Sequence, residues 1–124
     1  MDSLRLPHEH GESDQVKELI EQLSEIDKYQ AIAEIFKHLD DANRIRIFYL
    51  LCNCEECVIN ISAILGISSP AASHHLCLLK DRHLIVSRRS GKEVYYKASD
   101  TEESLLLQKL LRITFENILS ESDH

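Results

Sequence analysis

Residues 50–58 read LLCNCEECV and hold three of the chain's four cysteines, Cys52, Cys54 and Cys57. Thiolates are soft ligands. Three converging sulfurs suit arsenite or Pb(II), and one further donor makes a Cd(II) or Zn(II) site. His8 and His10, in a His-Glu-His run near the N-terminus, are candidates for that donor. Glu55 and Glu56 attract a cation but raise thiol pKa values, so binding there depends on pH. Two other chemistries fit the same residues. Cys54 and Cys57 are spaced C-x-x-C, as in a thiol redox switch. Alternatively, Cys52 ends a helix as a small core residue and Cys54 is incidental. Cys77 stands alone on a later helix and reads as packing.

The elements that position this loop follow from composition and period. The chain has 124 residues, three Gly, two Pro and no Trp, and 44% of its residues are hydrophobic. One mainly helical domain is expected. No run of apolar residues is long enough to span a membrane, and no secretion signal opens the chain. A cytoplasmic protein with reduced thiols is therefore expected. Net charge is −7, yet residues 66–98 carry six basic against two acidic side chains, a local +4. A basic third inside an acidic chain is either a local electrostatic footprint or an ordinary mixed surface.

Residues 1–13 read as a flexible arm, and residues 14–120 as the folded domain. Val16, Leu19, Ile20, Leu23 and Ile26 form one helical face, and Ile32, Ile35, Phe36 and Leu39 a second. Asp40 or Asp41 caps a third helix carrying Ile45, Ile47, Phe48, Leu50 and Leu51. A short helix then closes at Gly66. Ser68 or Ser69 caps the next, with Pro70 in its first turn and Ala72, Leu76 and Leu79 on its apolar face. Two short helices joined by a Gly-containing turn make a helix-turn-helix. The period then changes to two over residues 84–89 and 93–97, around Ser90-Gly91-Lys92, which predicts a β-hairpin. From Thr101 to Ser120 the chain returns to helix, apolar on more than one stripe. One stripe faces its own domain, and the other suits a second copy. The fold expected is mainly α with a β-hairpin wing, a winged helix-turn-helix that forms a homodimer.

Residues 65–98, LGISSPAASHHLCLLKDRHLIVSRRSGKEVYYKA, closely resemble the arsenic- and zinc-responsive ArsR/SmtB repressor family. The matching residues are Leu65-Gly66, Ser68, Ser73-His74-His75-Leu76, Leu79-Lys80, Gly91 and Val94-Tyr95-Tyr96. The preceding DDANRIRIFYLL is similar to the family's D-x-x-R helix, and the likeness spans about residues 30 to 120.

The resemblance implies a homodimeric bacterial repressor that leaves double-stranded operator DNA when an inducer, often a metal, binds. The second helix of the motif, residues 69–82, is then expected in the major groove. Ser68, Ser69, Ser73 and His74 are expected to reach bases or phosphates, with His74 outward and His75 inward. Arg88, Arg89 and Lys92 on the wing are expected at phosphates or the minor groove.

Two regulatory metal positions are implied. At the cysteine position Glu56-Cys57-Val58 matches, while Ile59 and Asn60 replace the family's second cysteine and acidic residue. At the C-terminal position Asp100 matches, but Glu102 and Ile113 stand where histidines belong, beside Glu116. Two carboxylates without imidazole make a poor zinc site, so Cys52, Cys54 and Cys57 with His8 and His10 are the expected ligands. The inducer expected is Cd, Pb, Zn or arsenite.

Two alternatives remain: a repressor of the same fold that senses thiol redox state or persulfide, and a winged-helix module for protein contacts, to which the acidic surface points. No histidine is set beside a cysteine with an oxyanion donor, so no enzyme is expected.

Overall fold

A computed structural model of the chain describes residues 6–8 and 14–119. His10, most of the arm expected over 1–13, and the last expected helical residue, Ser120, lie outside them. Six helices and three strands follow in chain order: α1 Asp14–Leu23, α2 Ile26–Lys37, α3 Ala42–Asn53, β1 Glu56–Cys57, α4 Val58–Leu65, α5 Ser69–Asp81, β2 Ile85–Ser90, β3 Glu93–Ala98 and α6 Glu102–Thr114. A π-helical turn, Phe115–Leu119, extends α6. Among the described residues, no helix is long and apolar enough to cross a membrane. The chain divides into two compact units, Met1–Glu34 and Ile35–His124.

In the first unit α1 contains no buried residue, and Leu19, Leu23, Ile26, Tyr29 and Ile32 are exposed. Ile26 does not continue the face of α1. The Ser24 hydroxyl donates to the Glu21 carbonyl at 2.6 Å, a local bond that competes with the helix ladder. Ile26 then opens α2.

The second unit is built around Ile47, Phe48 and Leu51 of α3, Ile61 and Leu65 of α4, and Ala72, Leu76 and Leu79 of α5. Leu84, Ile85, Leu107 and Leu111 close this core. Phe48 is wholly buried, worth about 1.5–3 kcal/mol in transfer alone. Local chemistry sets each helix end. Asp41 caps α3 by accepting from the Arg44 N–H at 3.0 Å. Gly66 closes α4 at φ 71°, a left-handed conformation that Cβ disfavours. Ser68 caps α5 through the Ala71 N–H, and Thr101 caps α6 through the Ser104 N–H.

The hairpin is present, with Ser90 opposite Glu93. Its loop is therefore two residues, and Gly91 takes φ 63° at the first of them, as a two-residue hairpin loop demands. The sheet, however, has three strands in the order β1-β3-β2, not two. β1 pairs antiparallel with β3, Glu56 opposite Tyr96 and Cys57 opposite Tyr95. Two residues are too few to show a strand's period, so sequence pattern alone missed β1.

Helix α6 carries the two stripes its sequence predicts. Ser104, Leu107 and Leu111 are buried, whereas Leu105, Leu106, Leu110 and Ile113 are exposed.

Candidate nucleic-acid interface and cysteine loop

Helices α4 and α5 form the helix-turn-helix, and β2 and β3 the wing. Ser69, Ser73 and His74 are exposed on α5, and Ser68 is exposed just before it. Adjacent helix positions point about 100° apart, so only one of the paired histidines reaches solvent. His75 is the buried one, at 8% exposure, and His74 points outward as expected. Ser68 is engaged as a cap, and the Ser69 hydroxyl lies 3.3 Å from that of Ser62 on α4. Cys77 is a correction. It is exposed, not packed, because Ala72, Leu76 and Leu79 set the buried face and residue 77 falls off it. Its sulfur lies 3.9 Å from Asp81 Oδ2.

His75 joins α5 to α3. Arg44 Nε donates to His75 Nδ1 at 3.4 Å, and His75 Nε2 lies 3.7 Å from Asp41 Oδ1. Burial lowers the His75 pKa, against the pull of Asp41. Asp41 itself is held below the usual carboxylate range, chiefly by the Arg44 N–H. Farther along α5's end, Arg82 Nε donates to His38 Nε2 at 2.6 Å.

The wing's basic residues differ in state. Arg89 and Lys92 are exposed, and Arg89 Nε donates to the Gly91 carbonyl at 3.4 Å. Arg88 forms a bidentate pair with Glu55, Nε to Oε2 and Nη2 to Oε1, both 2.7 Å. Its guanidinium also lies 5.0 Å from the Tyr95 ring centroid. This pair lowers the Glu55 pKa and raises that of Arg88. Thirty-three residues separate the partners, and no sequence pattern announced them; the only signal was an acidic residue inside the cysteine loop.

The three cysteines occupy three environments. Cys52 ends α3 half-buried against the core, and burial pushes its thiol up to about 11. Cys54 is exposed at the C-cap of α3, with Sγ donating to the Leu50 carbonyl at 3.5 Å. Cys57 is buried, and it is both the N-cap of α4 and a residue of β1. Among the described residues, no three His, Cys, Asp or Glu side chains are grouped to hold a metal ion. The loop nonetheless carries an orphaned acceptor: Glu56 Oε2 is buried and has no hydrogen-bond partner among the described residues. A buried, unsatisfied oxygen is destabilising until a donor or cation meets it. Cys52, Cys54, Glu55, Lys97, Asp100 and Gln108 line one crevice of about 350 Å³. Of the two histidines expected to ligate, His8 is described and exposed.

Comparison with known proteins agrees with this geometry. The family description "Bacterial regulatory protein, arsR family" matches residues 41–86, from the cap of α3 into the first wing strand. The chain is 34% identical over 87 residues to a transcriptional repressor SmtB homolog of Synechocystis sp., covering 70% of this chain and 66% of that one. It is 39% identical over 79 residues to a cadmium resistance transcriptional regulatory protein CadC homolog of Staphylococcus aureus, covering 63% and 65%. The chain thus spans slightly less than two thirds of the length of these curated relatives. Among solved structures, it is similar to the homodimeric winged helix-turn-helix DNA-binding domain Mb0332 of Mycobacterium bovis. That match has a TM-score of 0.62 and 28% identity, over 94% of this chain and 98% of that one. The family is one of transcriptional regulators, not enzymes. With the matched helices and their caps in place, the chain belongs to the arsR family of bacterial regulatory proteins.

Proposed function

We propose that this chain is a homodimeric repressor that binds double-stranded operator DNA and releases it when a soft metal or metalloid engages the cysteine loop. The observation that carries the reading is the position of Cys57. It occupies the N-cap position of α4 of the helix-turn-helix, without a side-chain capping bond, and pairs with Tyr95 of the wing. A ligand at this residue acts at once on both elements that face DNA. The names of relatives support the ligand class: a cadmium resistance regulator of Staphylococcus aureus and an arsenical resistance operon repressor of Escherichia coli.

On the DNA side, α5 offers Ser69, Ser73 and His74 to the major groove, and Ser68 stands at its N-terminus. Arg89 and Lys92 supply phosphate contacts from the wing. Two protomers place their α5 helices about one helical turn of DNA apart. Leu106, Leu110 and Ile113 form the outward stripe of α6 available to a second copy.

On the inducer side, the donors are chemically apt, since three thiols and the orphaned Glu56 oxygen share one loop. They are not gathered in a single protomer. Binding therefore requires the loop to close on the ion, with His8 or His10 as further candidate donors. The free energy of that closure is what couples ligand to DNA.

A second reading, thiol redox or persulfide sensing, is favoured by one observation. Exposed Cys54 shares a crevice with half-buried Cys52.

The test is a titration of duplex DNA from the protein's own promoter at several salt concentrations. Specific binding that weakens steeply with salt supports the reading. No binding at any salt concentration overturns it and leaves the protein-contact module.

A further inference from the structure

We infer that Arg88 is a positioning residue that ties the wing to the cysteine loop, and does not contact DNA. The inference rests on the regulatory reading above and deepens it. Cys57, Tyr95 and Arg88 stand directly opposite one another across β1, β3 and β2. Directly opposed residues of paired strands point to the same face, so these three form one row. Arg88 crosses that row over the Tyr95 ring and closes on Glu55, two positions before Cys57. Both of its bonds to Glu55 are 2.7 Å, and the fork-on-carboxylate geometry fixes direction as well as distance.

A phosphate would have to displace a carboxylate already held in that geometry. Arg88, Arg89 and Lys92 are all exposed, but Arg89 and Lys92 face no such carboxylate among the described residues. Glu55 lies between Cys54 and Cys57. Any ligand that draws these two sulfurs together must move Glu55, and Arg88 carries that movement into β2.

The experiment measures the slope of log affinity against log salt for wild type, Arg88→Gln and Arg89→Gln on the same duplex. Loss of one phosphate contact per protomer lowers the slope by about 1.8 for a dimer. We expect that loss for Arg89→Gln and an unchanged slope for Arg88→Gln. A slope lowered equally by Arg88→Gln overturns the inference.

The second arm adds Cd(II). Glu55→Gln, Arg88→Gln and the double variant are expected to retain DNA binding, with Cd(II)-induced release cut several-fold and by the same factor in all three. Release at the wild-type level in both single variants overturns the inference. If wild-type protein ignores Cd(II), the metal reading fails and the salt slopes still decide the role of Arg88. If it binds no DNA, the regulatory reading fails and the Arg88 side-chain Nε–H signal decides whether the tie exists. The tie predicts slow exchange in wild type that is lost in Glu55→Gln, and rapid exchange in wild type overturns it.

Discussion

Arg44 on α3 donates a hydrogen bond to Nδ1 of His75 on α5, 3.4 Å away. A ring nitrogen that accepts carries no proton, so the folded state holds His75 neutral. Burial lowers its pKa from the ordinary 6.5. The unfolded chain therefore takes up the proton first as pH falls. This contribution to stability is complete above about pH 6.5 and is lost as pH drops from there toward the lower folded value. Urea midpoints measured from pH 7.5 to 5 are expected to fall less steeply in His75→Gln than in wild type. Equal slopes would show that the ring does not titrate against folding.

Thiol reactivity should rank by environment. Cys54 and Cys77 are exposed, while Cys57 is buried. A Cys52 thiol at about 11 has about a hundredfold less thiolate at neutral pH than one at 9.0. Iodoacetamide labelling followed by mass spectrometry should modify Cys54 and Cys77 first, with Cys52 at least about tenfold slower. Comparable rates for Cys52 and Cys54 would contradict the burial of Cys52.

Gly66 closes α4 at φ 71°, and a Cβ built there meets nothing within 4 Å. The whole effect of Gly66→Ala is then backbone strain, about 1–2 kcal/mol. Thermal denaturation should show this loss with the helical content of the folded state unchanged. A neutral result would mean that the turn relaxes.

The outward stripe of α6 gives the proposed dimer a simple test. Leu106 is 61% exposed and Leu110 42% exposed, so charging them leaves the monomer's core intact. Leu106→Glu with Leu110→Glu should yield a folded monomer by sedimentation. A variant that stays dimeric would move the interface elsewhere.

Much of this was legible in the sequence because it depends on local chemistry. Gly66, Pro70 and the capping pairs Asp40/Asp41 and Ser68/Ser69 mark their own boundaries, of which the structure uses Asp41 and Ser68, and Ala72, Leu76 and Leu79 fix which histidine turns inward. The hairpin was legible from Gly91 and the change of period. What was not legible depends on distant partners. β1 is strand only because β3 lies beside it. Arg88 reads as a free cation until Glu55 is found against it. His83 takes φ 59° without being glycine, held where its carbonyl accepts from Ser99 and Thr101. Cys77 misled because its apolar neighbours hide that its own position faces out. The thiols were located at once, but their separation into half-buried, exposed and buried environments came only with the turn from α3 into β1.

The most direct test of the cysteine loop as the inducer site is a fluorescence-anisotropy titration of promoter DNA with reduced protein, adding Cd(II), Pb(II), Zn(II), arsenite and a persulfide donor in turn. Wild type should be released by one soft metal or metalloid, with affinity weakened about 5- to 150-fold. The protein carrying Cys52→Ser, Cys54→Ser and Cys57→Ser should bind the same DNA and not let go. If that triple variant is released by the same inducer, the loop is not the sensor.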